Sequence, residues 1–311
     1  MRGTFPTRKP IPQIDIPLRT QRLVIPYVFL VPAVALFLIF LVYPLLKGLQ
    51  ISFYDWSIMP NKASIFTGLE NYVKAFKDPI TGVAFKNTIL YTVITVPGQM
   101  ILAMLVALMI HSLPRAKGFY RTLYYIPVIT SWVIVSLLFR YLFQSPQGVI
   151  NYFLINIFHI AARPIPWLQQ VSTAFIPVMG LGIWKGIGWS LIIYLAALAT
   201  IPHELTEAAA IDGANAWQQF WKVTMPLISP TIVFTLVMLL IGGFNVFISV
   251  FLITNGGPMQ QTEVVLSDMY HQAFDFLDFG YGAALSFLMA AVIVTASVLQ
   301  LKFLRRPQEL S

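Results

Sequence analysis

The chain has 311 residues, of which 58% are hydrophobic and only 10% charged, and it contains no cysteine. Soluble globular domains carry about 25% charged residues, so the composition excludes that class and favours a protein that lies in a bilayer, while the missing cysteines exclude disulfide scaffolds, thiolate metal sites and iron–sulfur proteins. The net charge of +8 comes in short patches between long apolar runs, a distribution typical of membrane loops rather than of nucleic-acid binding.

Six stretches with at most one charge are long enough to cross a bilayer, which takes about 20 apolar residues. They predict an all-α polytopic membrane domain over residues 24–303, with tails at 1–23 and 304–311. The first stretch is expected to be a retained anchor, because its apolar run is too long for a cleaved signal peptide. In chain order, the predicted spans are Val24–Leu46, Thr88–Ile110, Thr122–Phe139, Val171–Ile201, Leu227–Thr254 and Tyr281–Leu301.

The connections between the spans differ in length and in charge. Lys47–Asn87 is a long loop rich in aromatic residues, and Asn255–Gly280 opens with an Asn-Gly-Gly-Pro turn. Within Gln144–Gln170, the run Val149–Ile160 is too short to span and predicts an interfacial or re-entrant helix. Lys and Arg are more frequent in the tails and in the loop after the second span than in these three segments, so the positive-inside rule predicts that both termini are cytoplasmic.

Signatures of enzymes and of self-powered carriers are missing from the sequence. The dipeptide Gly-Lys does not occur, so the chain has no P-loop of its own for ATP. His203–Glu207 begins like a zinc-protease helix but has Glu where the second His is required. No Asp or Glu lies inside a predicted span, which argues against a proton relay, although a sodium-coupled carrier that uses backbone carbonyls stays open.

The loop Pro202–Pro226 is predicted to form a helix–turn–helix on the cytoplasmic side. Glu204 and Glu207 favour the start of a helix, three alanines continue it, and Gly213 ends it. Pro226 is expected to end the second helix and to start the fifth span, and the second helix is expected to carry one largely apolar stripe that packs against the membrane domain. The stripe consists of Trp217, Phe220, Trp221 and Thr224. This shape suits either a knob that docks in a cleft of another protein or an ordinary amphipathic connector.

The spacing in this loop resembles a known family motif. Glu207-Ala208-Ala209, three residues, Gly213, nine residues and Val223-Thr224-Met225-Pro226 is similar to the EAA loop of binding-protein-dependent ABC transporter permeases. Val and Met stand where that family has Ile and Leu. Three further segments resemble the sugar-type branch, which includes maltose and glycerol-3-phosphate permeases. They are Gly68–Tyr72, Trp184-Lys185 and Asn255–Pro258.

The resemblance implies an ABC importer permease of the type I fold, without catalytic residues and located in the inner or plasma membrane. It implies that Glu207 and the Ala208-Ala209-Gly213 bend form a coupling helix, which sits in a groove of a cytoplasmic ATPase. In that family the ATPase, and not the permease, binds ATP and Mg. The implied partners are a second, homologous permease subunit in a heterodimer, two ATPase subunits, an extracytoplasmic solute-binding protein and membrane lipid. The implied coupling residues are Glu207, Ala208, Ala209, Asp212 and Gly213.

Five residues inside the spans are candidates for the substrate pathway. Lys185 is the only formal charge within a span, and it either faces the pathway or caps carbonyls in a glycine-broken helix. Gly182 and Gly186, four residues apart, predict a close approach of another helix. Asn245 is suited either to a hydroxylated ligand or to a bond between helices, and the aromatic rings suit sugar stacking or packing. The candidates are Lys185, Trp189, Tyr194, Phe244 and Asn245.

The solute class follows less directly from the sequence. A sugar or oligosaccharide is favoured over a polyol or glycerol phosphate, because no basic cluster suited to phosphate lies within the spans. Two other classes of protein compete with the permease. A self-contained secondary carrier would transport solute without an ATPase, and a membrane-embedded enzyme would need clustered polar groups that the sequence lacks.

Overall fold

A computed structural model describes residues 18–59 and 63–304, with side chains between residues 26 and 302 of these ranges. Most of the two predicted tails, residues 1–17 and 305–311, lies outside the described residues. The described chain is built almost entirely of helices, which confirms the all-α prediction. Five of these helices are long and apolar enough to cross a membrane, and one sharply bent pair provides a sixth candidate.

The N-terminal unit, described over residues 18–50, holds all but the last residue of the first candidate span, Pro26–Ile51. Helix α1 (Leu18–Phe37) passes through a wide helical turn, Leu38–Val42, into α2 (Tyr43–Ile51). The wide turn ends two residues before Pro44, a residue that cannot donate to the helical ladder, and widened turns are one way in which helices accommodate such a residue. The resulting apolar helix, Pro26–Ile51, covers most of the first predicted span and extends beyond its end.

The second unit starts at Ile51 with a small folded region in place of an open loop. Strands β1 (Tyr54–Asp55) and β2 (Ile65–Phe66) pair antiparallel, with Tyr54 opposite Phe66. Helix α3 (Glu70–Lys77) follows, and the Asn71 amide donates to the carbonyls of Ser52 and Tyr54. The described part of the predicted long loop that lies in this unit is therefore an ordered platform.

Helix α4 (Pro79–Ser112) is the longest of the described helices and begins well before the predicted Thr88. Asp78 caps it by accepting a hydrogen bond from the Ile80 amide at 2.9 Å, and Pro79 occupies the first helical turn. An acidic cap followed by proline is a strong helix start, which explains why the helix extends beyond the apolar run.

The predicted third span, Thr122–Phe139, is not one helix. It divides into α5 (Lys117–Ile129) and α6 (Trp132–Leu142), which meet at 91°. The backbone at Thr130 and Ser131 is extended, so the helical ladder stops there. Two polar residues that adopt extended backbone are sufficient to end a helix in the middle of an apolar stretch.

The next segment contains one short helix and one long one. Helix α7 (Val149–Tyr152) continues through a wide turn, Phe153–Ile157, so the helix predicted over Val149–Ile160 forms but ends three residues early. Helix α8 (Val171–Ala199) matches the fourth predicted span and runs without interruption through its glycines. A break of this helix at the glycines, considered for Lys185 from the sequence, is therefore not present.

The predicted helix–turn–helix is followed directly by the fifth span. Helices α9 (His203–Ile211) and α10 (Ala216–Gln219) form its two arms. A wide turn, Phe220–Thr224, then leads into α11 (Met225–Phe244). The expectation that Pro226 ends the second helix is wrong, because proline lies in the first turn of α11, where its missing N–H costs nothing. One helical rod therefore extends from Ala216 to Phe244.

The fifth predicted span, Leu227–Thr254, also divides. Helix α11 stops at Phe244, the chain turns, and α12 (Ile248–Ile253) follows. Helix α13 (Val265–Tyr270) with a wide turn, His271–Asp275, occupies the loop predicted to open with an Asn-Gly-Gly-Pro turn. That turn is present, with positive φ at Asn255 and Gly256. The last helix, α14 (Phe279–Leu304), covers the sixth predicted span.

Helices α4 and α8 form the centre of the second unit. Apolar residues of both helices are buried together, including Ala103 and Met104 of α4 and Leu191 and Leu195 of α8. In a bilayer, burial of apolar surface against protein gains little over contact with lipid tails, so tight packing and hydrogen bonds determine which helices associate. Small residues at the contact therefore matter more than the amount of apolar area.

Candidate functional site: a cavity between the spans and a helical elbow

A cavity of about 300 Å³ lies between helices α4, α8 and α11 and the bent pair α5–α6. Its wall combines aromatic rings with a few polar groups, as is common in ligand-binding cavities. Of the five pathway candidates, the structure places Lys185 and Trp189 in this wall. The polar and aromatic side chains that line it are Tyr91, Thr95, Gln99, Trp132, Lys185 and Trp189.

The contribution of α4 to this wall was missed in the sequence. Tyr91, Thr95 and Gln99 follow each other at intervals of four, which places them on one face of the helix. The Thr95 hydroxyl is satisfied within the helix, because it donates to the Tyr91 carbonyl at 2.7 Å. The spacing of four between Tyr91, Thr95 and Gln99 is the signal that marks this face in the sequence.

Glycines of α8 allow this polar face to come close. A Cβ atom on Gly182 would overlap the Tyr91 hydroxyl, and one on Gly186 would overlap the Gln99 amide. The close approach predicted from these two glycines is therefore present, and it is made by α4. A third glycine, Gly188, faces the Tyr124 carbonyl of α5 in the same way, so α8 is held tightly between two helices.

Lys185 combines features of both roles considered from the sequence. Its side chain lines the cavity, yet only 4% of the residue is exposed. The Nζ atom donates to the Pro127 carbonyl at 2.5 Å and to the Thr130 carbonyl at 2.6 Å. These carbonyls belong to the end of α5, so the broken helix that Lys185 caps is the third span and not its own.

The other three pathway candidates do not reach the cavity. Tyr194 is buried in the α4–α8 core beside Leu195, and Phe244 packs in a separate cluster with Ala84 and Met289. Asn245 is exposed at the end of α11, and its amide donates to the Ile241 carbonyl at 2.7 Å. From residue type alone, side chains that pack in the protein could not be distinguished from side chains that line the cavity.

The second candidate site is the elbow, which we define as residues Pro202–Pro226. Helix α9 ends at Ile211, and Gly213 (φ +81°) closes it in a Schellman motif, in which the Gly213 amide donates to the Ala210 carbonyl and the Ala214 amide to the Ala209 carbonyl. A left-handed residue is required at this position, and glycine adopts that conformation most easily. Glu207, Ala208 and Asp212 are exposed on α9 and its cap, while Ala209 is half-buried.

The second arm of the elbow carries exposed aromatic residues. Asn215 and Gln218 form a reciprocal capping box at the start of α10. Trp217 and Trp221 contact each other, but Trp217 is 70% exposed, and of the aromatic stripe only Phe220 packs against the α4–α8 core. The prediction that this stripe packs against the membrane domain therefore holds for Phe220 alone.

At the end of α11 away from the elbow, acidic groups are buried in the loop that contains α13. Asp268 accepts a hydrogen bond from the Thr81 hydroxyl at 2.8 Å. Glu263 lies 3.7 Å from the His271 ring nitrogen, and its Oε1 atom has no hydrogen-bond partner. Burial raises the pKa of both the Glu263 and the Asp268 carboxyl groups. The Asn87 amide ties the loop to α4 by donating to the Glu263 carbonyl at 2.8 Å.

The known proteins that this chain resembles are membrane components of transport systems. Residues 87–308 match the family described as "Binding-protein-dependent transport system inner membrane component". The probable ABC transporter permease protein YurN of Bacillus subtilis (strain 168) is 32% identical over 292 residues, which cover 93% of this chain and 99% of that protein. The lactose transport system permease protein LacF of Rhizobium radiobacter is 34% identical over 278 residues, covering 88% and 92%.

A solved structure has the same fold. The match is to a chain of the bacterial alginate ABC transporter in complex with an alginate pentasaccharide-bound periplasmic protein. It has a TM-score of 0.78 at 28% sequence identity and covers 94% of this chain and 97% of that one. The likeness therefore extends over nearly the whole length of both chains.

Proposed function

This chain belongs to the family of binding-protein-dependent transport system inner membrane components, and we propose that it forms half of the translocation pathway of an ATP-driven sugar or oligosaccharide importer. Family membership makes it a multi-pass membrane transport subunit rather than an enzyme. The partnership with a solute-binding protein follows from the family and agrees with the solved relative, which was captured with its periplasmic protein.

One observation carries the proposal: the elbow connects two helices that both line the cavity. Helix α8, which bears Lys185 and Trp189, leads into α9 after only three residues. On the other side, the helical rod Ala216–Phe244 brings Gly242 and Gly243 to the cavity. At 1.5 Å per residue this rod is about 43 Å long, so a force applied at the elbow acts on the cavity wall through a continuous helix.

The partner that applies this force is, in the proposal, a cytoplasmic ATPase subunit. Its groove receives α9 through Glu207, Ala208 and Ala209, with Asp212 and Gly213 at the bend. The exposure of Glu207, Ala208 and Asp212 leaves them available for such a contact. Two ATPase subunits with ATP and Mg, and a second homologous permease, complete the assembly, and both termini of this chain are cytoplasmic in it.

The cavity supports a sugar as the solute. Trp132 and Trp189 offer apolar faces of the kind that stack on sugar rings, and the Gln99 amide offers hydrogen bonds to hydroxyl groups. LacF, a relative of this chain, is a lactose permease by name. A phosphorylated solute such as glycerol phosphate fits less well, because the Lys185 ammonium already donates to backbone carbonyls.

The test is to purify the assembled transporter, place it in liposomes, and compare ATP hydrolysis with sugar uptake. Glu207→Gln and Gly213→Ala are expected to reduce uptake per ATP hydrolysed, because the first alters the docking face and the second strains a left-handed residue. Glu70→Gln removes another exposed carboxylate, on α3 at the opposite end of the spans, and should leave the ratio unchanged.

Normal coupling in both elbow variants would refute the coupling role. A self-contained secondary carrier is the other candidate, because backbone carbonyls at the break of the fifth span are the kind of group that coordinates cations in such carriers. Solute flux through the purified chain alone, without an ATPase, would favour that carrier.

A further inference from the structure

The bend between α5 and α6 leaves backbone carbonyls without helical hydrogen-bond donors inside the spans. We call residues Pro127–Trp132 the corner. The last carbonyls of a helix have no helical donors and form the negative end of its dipole. Backbone groups that are exposed to lipid without partners cost several kcal/mol each, so a helix that ends at this depth needs donors from elsewhere.

Lys185 supplies these donors from the neighbouring helix. Its Nζ atom lies 2.5 Å from the Pro127 carbonyl oxygen, 2.6 Å from that of Thr130 and 3.3 Å from that of Val128. The Thr130 hydroxyl oxygen lies 3.4 Å away as a fourth acceptor, so the three N–H donors of the ammonium have enough acceptors within reach to engage all of them. The same atom lies 5.0 Å from the centre of the Trp132 ring, within the range of a cation–π contact.

The fit between α8 and the third span is close on both sides of this contact. Gly188 lies against the Tyr124 carbonyl, where a Cβ would not fit. On the cavity side, Val128 and Trp132 of the corner form part of the wall. The position of two wall residues therefore depends on how the corner is held against α8.

We propose that Lys185 is a positioning residue that fastens the corner to α8 and so fixes Val128 and Trp132 in the cavity wall. It acts through backbone carbonyls and does not bind the solute, since its donors are already engaged. The inference rests on the proposed function only for the meaning of the cavity. Whether Lys185 holds the corner against α8 can be tested without any knowledge of the solute.

This chain has no cysteine, so a single engineered one is its sole thiol, and labelling measured on the separated chain reports on the corner. In the assembled transporter, Val128→Cys is placed in the cavity wall and its reaction with a membrane-impermeant thiol reagent is timed. Combining it with Lys185→Met, which keeps the length but removes the donors, should raise the rate about tenfold or more, the effect of losing one charged hydrogen bond. Lys185→Arg keeps the charge and the donors, so the Val128→Cys reaction rate should stay near that of the protein in which Lys185 is unchanged.

Two controls separate this effect from general loosening. Lys86→Met removes an exposed lysine of α4 and should not change the rate at Val128→Cys. Gly180→Cys, in open space on α8, should react at the same rate with and without Lys185→Met. If the Val128→Cys rate changes less than about twofold, the corner is held by other contacts and the proposal is overturned.

Uptake measurements distinguish this proposal from the coupling proposal. With Lys185→Met, the KM for sugar should rise while ATP hydrolysis still responds to the loaded binding protein, because the elbow is intact. Lys185→Gln is the second neutral variant in case Lys185→Met does not assemble. If neither assembles while Lys185→Arg does, Lys185 acts in folding and the positioning proposal is overturned. If Lys185→Met speeds the Val128→Cys reaction but the transporter carries no sugar, the role of Lys185 in fastening the corner still holds. Only the proposed transport function is then contradicted.

Discussion

The glycines of α8 lead to a prediction in which the same substitution has opposite effects a few residues apart. Gly188 lies against the Tyr124 backbone, with the carbonyl carbon 3.0 Å from where a Cβ would stand. Gly180, on the same helix, has nothing within 4 Å of a Cβ. Replacement by alanine favours the helix by about 0.5–1 kcal/mol at either position, because alanine restricts the unfolded chain.

Only Gly188→Ala also forces two helices apart. Overpacking of a tight site costs about 1–3 kcal/mol, and the backbone of α5 offers no flexible side chain that could move away. Since the gain in helix propensity is common to both substitutions, the difference in stability between Gly188→Ala and Gly180→Ala should equal the overpacking cost. Gly186→Ala should fall between them, because the Gln99 side chain that it meets is able to rotate.

The assay is thermal unfolding of the purified assembly in detergent, followed by tryptophan fluorescence. Gly180→Ala should raise the midpoint slightly and Gly188→Ala should lower it by several degrees, which corresponds to about 1–3 kcal/mol. Equal midpoints for the two variants would refute the reasoning, since they would mean that α8 does not lie tightly against α5 at Gly188.

Three further outcomes are expected. Burial raises the pKa of the Glu263 carboxyl, so the folded protein keeps a proton that the unfolded chain loses near the ordinary value of 4.5. Stability should therefore fall as pH rises through the window above that value, and Glu263→Gln should flatten this fall in thermal unfolding measured against pH. Ile211 is 86% exposed at the elbow, so Ile211→Ser should reduce copurification of the ATPase without changing the unfolding midpoint, whereas Ile160→Ser, at another exposed isoleucine, should change neither. Asn215→Ala should cost the elbow about 1 kcal/mol by removing its cap and should speed amide exchange in α10, while Asn215→Asp retains the cap.

The sequence was sufficient for features that depend on local chemistry. Apolar length located all six candidate spans, and Gly213 with its flanking alanines located the bend of the elbow, because helix termination depends on a few adjacent residues. The breaks in the third and fifth spans were missed for the opposite reason. Thr130 and Ser131 are compatible with a continuous helix in isolation, and it is the donors supplied by Lys185, far away in sequence, that satisfy the carbonyls left free at the end of α5.

The cavity was predicted only in part, because charge and aromatic character identify some residues of its wall, whereas helical spacing identifies others. Lys185 and Trp189 were found by charge and aromatic character, whereas Tyr194 and Phe244 are aromatic residues that pack in the core. Which side of α8 faces a cavity depends on the neighbouring helices, and a single span does not contain that information. The polar face of α4 was available from spacing alone.

The two sites are linked by the asymmetry of the elbow's arms. Helix α9 joins α8 through a short, non-helical connection, whereas α10 continues into α11 as one rod. In the proposed coupling, a push on the elbow would move α11 directly, while α8 is held by α4 and by the corner through Gly186, Gly188 and Lys185. The wall of the cavity that moves first is then the α11 side, at Gly242 and Gly243, and the α8 side serves as the fixed reference against which that motion opens or closes the cavity.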